Sequence, residues 1–373
     1  MPTPALHEHV SFEILLTSKC NLTCTYCIAQ GMAPHRMQID TGQKAIDLFV
    51  ALSVGARTIE FIFTGGEPLL ERPLLETLTV YAKERAAASG MLAQIVVKTN
   101  GTLVDDDIID FLCAHECRTV VSIDGAVEGH DRHRRSHSGA RSHERVADTL
   151  AKLLERGVTT VASVTVHPSL CDTVLGSVQL VHRLGVTRID VGPAYGTVMW
   201  SEDEAKTFAA SFTDVAEYMR RVRRSGGELE VGPLYRASEH VDGQLRGCWG
   251  CGAGARQLAV LPDGRVAGCS ALAMLTDRHP GLCLGSVQNG LDGEAIDGLL
   301  CLTQAGAETR GACLTCASAD NCAGGCLAIN LAQNGEAFDR PSFYCGTIGS
   351  ISPAWSIAWG DLPSRDASSP EGA

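Results

Sequence analysis

Cys20, Cys24 and Cys27 form a C-x3-C-x2-C run inside TSKCNLTCTYCIAQG. Thiols crowded directly after an apolar stretch become metal ligands once they lose their protons. A cubane iron–sulfur cluster has four irons and ordinarily takes four cysteine thiolates. Three protein ligands would leave one iron open to a substrate or cofactor, as catalytic metal sites do. A zinc site competes for the same spacing. Ten of the sixteen cysteines lie between Cys248 and Cys345, so the second half of the chain poses the question again. Metal binding explains them better than disulfides. MPTPALHEHVSFEILL lacks a basic n-region and a long apolar run, so a cytoplasmic chain with reduced thiols is expected.

The elements that must position the first run are legible from periodicity. VSFEILL, TIEFIFT, AQIVVKT, TVVSID, TVASVTV and TRIDVG read as strands. Between them lie the helical patterns TGQKAIDLFVALSVG, with Asp40 or Thr41 as cap, PLLETLTVYAKERAAAS opened by Pro73, DDDIIDFLCAHE, SHERVADTLAKLLERG and VLGSVQLVHRLG. Six β–α alternations require a parallel sheet, because parallel neighbours need crossover connections. The sheet is open or closes into a full or partial barrel. In either case chemistry belongs at the carboxyl ends of the strands, where CNLTCTYC falls.

From about residue 236 Gly and Cys become dense and helical periodicity fades. That texture buries little apolar area per residue and implies metal ligation as the stabiliser. The closing DLPSRDASSPEGA is polar enough to be a disordered tail. The net charge of -12 argues against a nucleic-acid partner, and no apolar run reaches the length of a membrane span.

C-x3-C-x2-C with Tyr26 before the third cysteine resembles the radical S-adenosylmethionine (SAM) superfamily. FTGGEPLL, KTNGTL and SIDG, following successive strands, and HDRHRR beyond them resemble its peptide- and protein-modifying branch, which includes anaerobic sulfatase-maturing enzymes. The resemblance implies an α/β fold: a partial (β/α)6 TIM-like barrel over residues 1–235, a small Cys-rich SPASM domain binding auxiliary iron–sulfur clusters over 236–350, and a tail over 351–373. It implies SAM bound at an open iron, an electron passed to its sulfonium, and a 5′-deoxyadenosyl radical that removes a hydrogen atom from an unactivated C–H. Tyr26 would pack near the adenine and Gly66 would offer backbone to the methionine amine. Ser122 and Arg134 would contact ribose and carboxylate, with Thr99 and Asn100 as further contacts. The histidines of HDRHRRSHSGARSH are expected to be solvated or near SAM.

Cys313, Cys316, Cys322 and Cys326, with Cys251, Gly264 and Cys269 upstream and Cys345 downstream, resemble the seven-cysteine SPASM pattern. Carried over, Cys251, Cys269 and Cys326, with Cys248 as fourth ligand, would serve one auxiliary cluster. Cys313, Cys316, Cys322 and Cys345 would hold the second, giving three [4Fe–4S] clusters in all. Structural zinc is the competitor, since four-cysteine zinc sites also use C-x2-C pairs. Cys113, Cys117, Cys171, Cys283 and Cys301 are expected to be buried packing residues.

The expected activity is peptide maturation by cross-linking or oxidation, with an external electron donor of flavodoxin or ferredoxin type. The alternative is oxidation of a small molecule such as a sugar alcohol; a third possibility is an electron-transfer scaffold without radical chemistry. No separate leader-binding domain is expected before Val10, so the barrel rim, the SPASM face or a partner would read the substrate. Sulfatase-maturing relatives carry an Asp directly after the last upstream cysteine. Here Ser270 stands there, and an ordinary hydroxyl is a poor base. That puts sulfatase maturation in doubt and leaves Asp263 and Asp277 as substitutes.

Overall fold

Apolar residues two apart along each strand face helices that carry their own apolar stripes, and this alternation builds the first half of the molecule. The computed structural model describes residues 9–234, 252–303, 311–316 and 325–360. Its strands are β1 His9–Thr17, β2 Thr58–Gly65, β3 Leu92–Thr99, β4 Arg118–Ser122, β5 Thr160–Val166, β6 Arg188–Pro193, β7 Glu230–Gly232, β8 Gln257–Val260 and β9 Val266–Ala267. The helices are α1 Ile39–Leu52, α2 Arg72–Ala88, α3 Asp106–Ala114, α4 Val127–His133, α5 His143–Glu155, α6 Val174–Arg183, α7 Glu202–Arg224, α8 Ser270–Ala273, α9 Gly293–Thr303, α10 Leu327–Asn334 and α11 Ser342–Trp359. One sheet runs β7-β6-β5-β4-β3-β2-β1-β8-β9, and only β9 is antiparallel to its neighbour.

The six expected strands are therefore the parallel core of a TIM-like partial barrel. Ile59, Phe61 and Phe63 of β2 are fully buried with Leu75 and Leu78 of α2, and Phe12 of β1 stacks on Phe49 of α1 at 4.2 Å. Each such side chain contributes about 1.5–3 kcal/mol by leaving water. The opposite face is mixed, with Leu15, Ile62 and Val96 beside polar groups. Glu13, Lys98, Ser122, Ser163 and Asp190 alternate with the core residues and line the barrel's interior.

Several local readings need correction. Helix α1 begins at Ile39 after Gln38, which makes no side-chain cap. Asp40 instead lies in the first turn, where its charge suits the helix dipole, and pairs with Lys44 at 2.7 Å. Helix α7 escaped notice, although Ser201 and Glu204 form a complete capping box before Phe208, Phe212, Val215 and Met219. The boundary expected at 350/351 falls inside α11, which continues to Trp359 because Ala354, Ala358 and Trp359 are core residues beside α7. Residues 361–373 lie outside the described residues, as do Cys248, Cys251 and Cys322. No helix among the described residues is long and apolar enough to cross a membrane.

The second half closes the barrel's open side. Strand β8 pairs with β1, and α10 docks on the loop after β6, where Gln333 accepts from the Gly196 N–H at 2.8 Å and donates to the Val198 carbonyl at 3.0 Å.

Candidate active site

The loop after β1 carries Cys20, Cys24 and Cys27 and is held on two sides. Ser18 donates to the Ala33 carbonyl at 2.7 Å, while the amides of Thr23 and Thr25 donate to the carbonyls of Arg135 and His133 at 2.7 and 3.0 Å. HDRHRRSH is thus largely the clamp on the cysteine loop. His130, His133 and His143 are buried rather than solvated, each within hydrogen-bond distance of a hydroxyl or a carbonyl. Burial pushes His130 and His133 down to about 4, so both rings are neutral.

Burial also pushes the Cys24 thiol up to about 11 and raises Cys20, and the three sulfurs lie close enough for each negative charge to oppose the next. The Cys20 and Cys24 thiols stay protonated until positive charge arrives, which an iron–sulfur core would provide. Among the described residues no three His, Cys, Asp or Glu side chains converge to hold a single metal ion. Three thiols on one loop fit an iron–sulfur cluster, in which each thiolate takes its own iron.

The GGEP turn seats this loop on β2. Gly65 has φ +130°, and a Cβ there would lie 2.3 Å from the Thr17 carbonyl oxygen; one on Gly66 would lie 2.1 Å from that of Lys19. Only glycines let the two turns approach so closely. The Gly66 N–H donates to Thr17 at 2.7 Å, leaving its carbonyl as the group that could accept from a cofactor amine.

Glu67 is fully buried and accepts from the Leu69 N–H, the Thr99 hydroxyl and the Asn100 N–H at 3.0, 2.8 and 2.7 Å. Asn100 in turn donates to Asn21 at 2.8 Å and approaches the Cys20 sulfur at 3.7 Å. Thr99 and Asn100 thus support the cysteine loop and the GGEP turn. Burial pushes Glu67 up to about 7 from its ordinary 4.5. The folded state then binds more protons than the unfolded one between those values, so this group's stabilisation is full below pH 4.5 and is lost as pH rises through about 7. Urea unfolding at stepped pH should show that loss in the wild type and not in Glu67→Gln. The variant should also be weaker by about 1–3 kcal/mol in acid, where an amide donor would face the Asn100 N–H.

Asp124, in SIDG after β4, organises the remainder. It accepts from the Tyr26 hydroxyl, from Arg134 Nε at 2.8 Å and from the Thr165 N–H at 3.0 Å. The Arg134 guanidinium carbon lies 5.4 Å from the Tyr26 ring centre. Burial opposes the Arg134 charge, but Asp124 outweighs it and the guanidinium stays firmly protonated. Burial and Asp124 push Tyr26 well above its ordinary range, so its hydroxyl remains a donor. The structure brings Tyr26 and Arg134 together through a carboxylate that residue-type reasoning passed over. Its signal was a lone acid at a strand's carboxyl end. Ser122 sits at the end of β4, in register with Ser163.

In the second half, Cys269 is the N-cap of α8 and Cys326 the N-cap of α10, and the two helices pack together. Both sulfurs lie within electrostatic reach of the Tyr195 hydroxyl. Cys313 lies in the 3-10 helix Gly311–Thr315, the Cys316 N–H just beyond it donates to the Cys313 carbonyl at 3.2 Å, and Cys345 lies in the first turn of α11. Cys117 and Cys171 are buried as expected, Cys113 and Cys283 are half-buried, and Cys301 is exposed, a departure from the packing role expected of it. Asp263 and Asp277 are both engaged by Arg265, at 2.7 and 2.9 Å. The amide of Ser270 donates to Glu13 at 2.7 Å.

Residues 14–175 match the Radical SAM superfamily. That stretch runs from β1 into the start of α6 and includes the cysteine loop and the GGEP turn. The chain is 26% identical over 345 residues to the serine-type anaerobic sulfatase-maturating enzyme of Klebsiella aerogenes, covering 87% of this chain and 82% of that one. Relatives with 30–36% identity align over only 26–39% of their own length. Among solved structures, native anSMEcpe, an anaerobic sulfatase-maturating enzyme with bound AdoMet and the Cp18Cys peptide, superposes with a TM-score of 0.77 at 19% identity, over 94% of this chain and 97% of its own. SuiB of Streptococcus suis bound to precursor peptide SuiA superposes at 0.63 and 14% identity, over 90% and 75%. The likeness to these structures is one of fold.

Proposed function

We propose that the protein is a radical SAM/SPASM peptide maturase that forms a cross-link or an oxidised residue at an unactivated carbon. The observation that carries this reading is the set of polar groups on the barrel's inner face, with Lys98, Ser122, Ser163 and Asp190 beneath the cysteine loop. Similarity along most of the chain to a sulfatase-maturating enzyme supports it. When bound, cluster and SAM supply a 5′-deoxyadenosyl radical. Cys20, Cys24 and Cys27 hold the cluster, the Gly66 carbonyl accepts from the cofactor amine, and Tyr26, Ser122 and Arg134 line the adenosine and carboxylate.

Two auxiliary [4Fe–4S] clusters complete the proposal, one on Cys248, Cys251, Cys269 and Cys326, the other on Cys313, Cys316, Cys322 and Cys345. The packing of α8 against α10 supports the crossing of Cys326 to the first of them. Residues 1–235 form the radical SAM unit and those from 236 through the end of α11 the auxiliary unit, in a cytoplasmic enzyme reduced by a flavodoxin or ferredoxin.

Anaerobically reconstituted protein, given SAM, dithionite and a synthetic copy of a short peptide encoded beside its gene, should release 5′-deoxyadenosine and lower the peptide mass by about 2 Da, the loss of one hydrogen atom, one proton and one electron. A peptide of unchanged mass, with a neighbouring sugar alcohol oxidised instead, would overturn the peptide reading.

A further inference from the structure

We infer that Asp190 is the residue that takes the substrate's proton, the role left vacant by Ser270. This rests on the maturase reading and assigns the base within it. The registers of the parallel strands place Ser122, Ser163 and Asp190 in one row across β4, β5 and β6. All three lie on the face opposite the buried Val121, Ala162, Ile189 and Val191, so they look into the barrel.

The other acids near the site are occupied. Glu13 is 1% exposed, pairs with Lys98 at 2.8 Å and accepts from the Ser270 N–H at 2.7 Å and from Gln257 at 3.2 Å. Glu60 is paired with Arg118 and accepts from Ser11 at 2.9 Å. Glu67 and Asp124 serve the cysteine loop, and Asp263 and Asp277 serve Arg265. Asp190 is half-buried, and among the described residues no hydrogen bond or ion pair claims its carboxylate.

The charges facing it are Lys98, presented across the interior by Glu13, and Arg188 on its own strand, which approaches Glu230 of β7 at 4.0 Å; β5 offers only Ser163 in register. Burial raises Asp190 from its ordinary value, with Arg188 and Lys98 opposing, which brings it nearer to working pH than a solvated carboxylate. In the step assigned here, a substrate C–H gives its hydrogen atom to the 5′-deoxyadenosyl radical, forming 5′-deoxyadenosine. The carbon would lose one further electron to an iron–sulfur oxidant, which the auxiliary cysteines would hold. The proton of the adjoining O–H, S–H or N–H passes to Asp190, and the heteroatom closes its new bond to the carbon.

The test uses the reconstituted holoenzyme and the gene-adjacent peptide deuterated at the reacting carbon. Asp190→Asn should still move deuterium into 5′-deoxyadenosine but form product about 10²–10⁴-fold more slowly, without the wild type's acid-side loss of rate. Asp190→Glu should restore both rate and acid limb in part. Product formed by Asp190→Asn at the wild-type rate and with the wild-type pH profile would remove Asp190 from the role and leave the maturase reading standing. A wild type that makes 5′-deoxyadenosine without deuterium would overturn that reading and this assignment together.

Discussion

Cys24→Ala should leave a folded protein that no longer cleaves SAM. The thiol lies in a loop held by backbone bonds from Thr23, Thr25 and Ser18, so its loss removes a ligand without removing the clamp. Iron content should fall by about four atoms per chain, one cubane, while the auxiliary cysteines keep theirs. Dithionite and SAM should then yield no 5′-deoxyadenosine. Undiminished iron together with normal cleavage would show that the three cysteines hold no cluster. Asn100, which approaches Cys20 rather than Cys24, offers no replacement ligand.

Asp124→Asn should have the largest effect on stability. One carboxylate accepts from Tyr26, Arg134 and Thr165, and Arg134 is only 7% exposed. Removing that charge strands a buried guanidinium, a change that costs about 3–5 kcal/mol where a buried pair is broken from one side. Urea unfolding of the cluster-free protein would measure it. In the loaded enzyme, SAM affinity should fall by about 10–100-fold, the usual effect of losing a group that orients a ligand-binding residue. A variant as stable as the wild type, with unchanged affinity, would mean that Arg134 finds another partner.

How much of this could be read from residues alone varied with the range of the interaction. β5 appeared at its full extent, Thr160–Val166, because alternation is a local property. The cap of α1 was misplaced because Asp40 suits both a cap and a first turn, and only the path of the incoming chain distinguishes them. α7 was passed over despite its capping box, since its polar outer face dilutes the apolar stripe. At the site, the cysteine run and GGEP announce themselves by spacing. Asp124 and Asp190 do not, because their meaning depends on which strands lie side by side. Exposed Cys301 shows the reverse error, a residue type taken for a burial class.

The pairing of β8 with β1 has a consequence for anyone who would shorten the protein. Ser11, Phe12, Glu13 and Ile14 lie alongside Gln257–Val260, so the strand that carries the cysteine loop has no free edge on that side. A chain cut after residue 235 would bare a row of amides and carbonyls beside buried apolar residues, a template for sticking to other copies. Attempts to graft a relative's second half onto this barrel will have to match that seam before any chemistry can be compared.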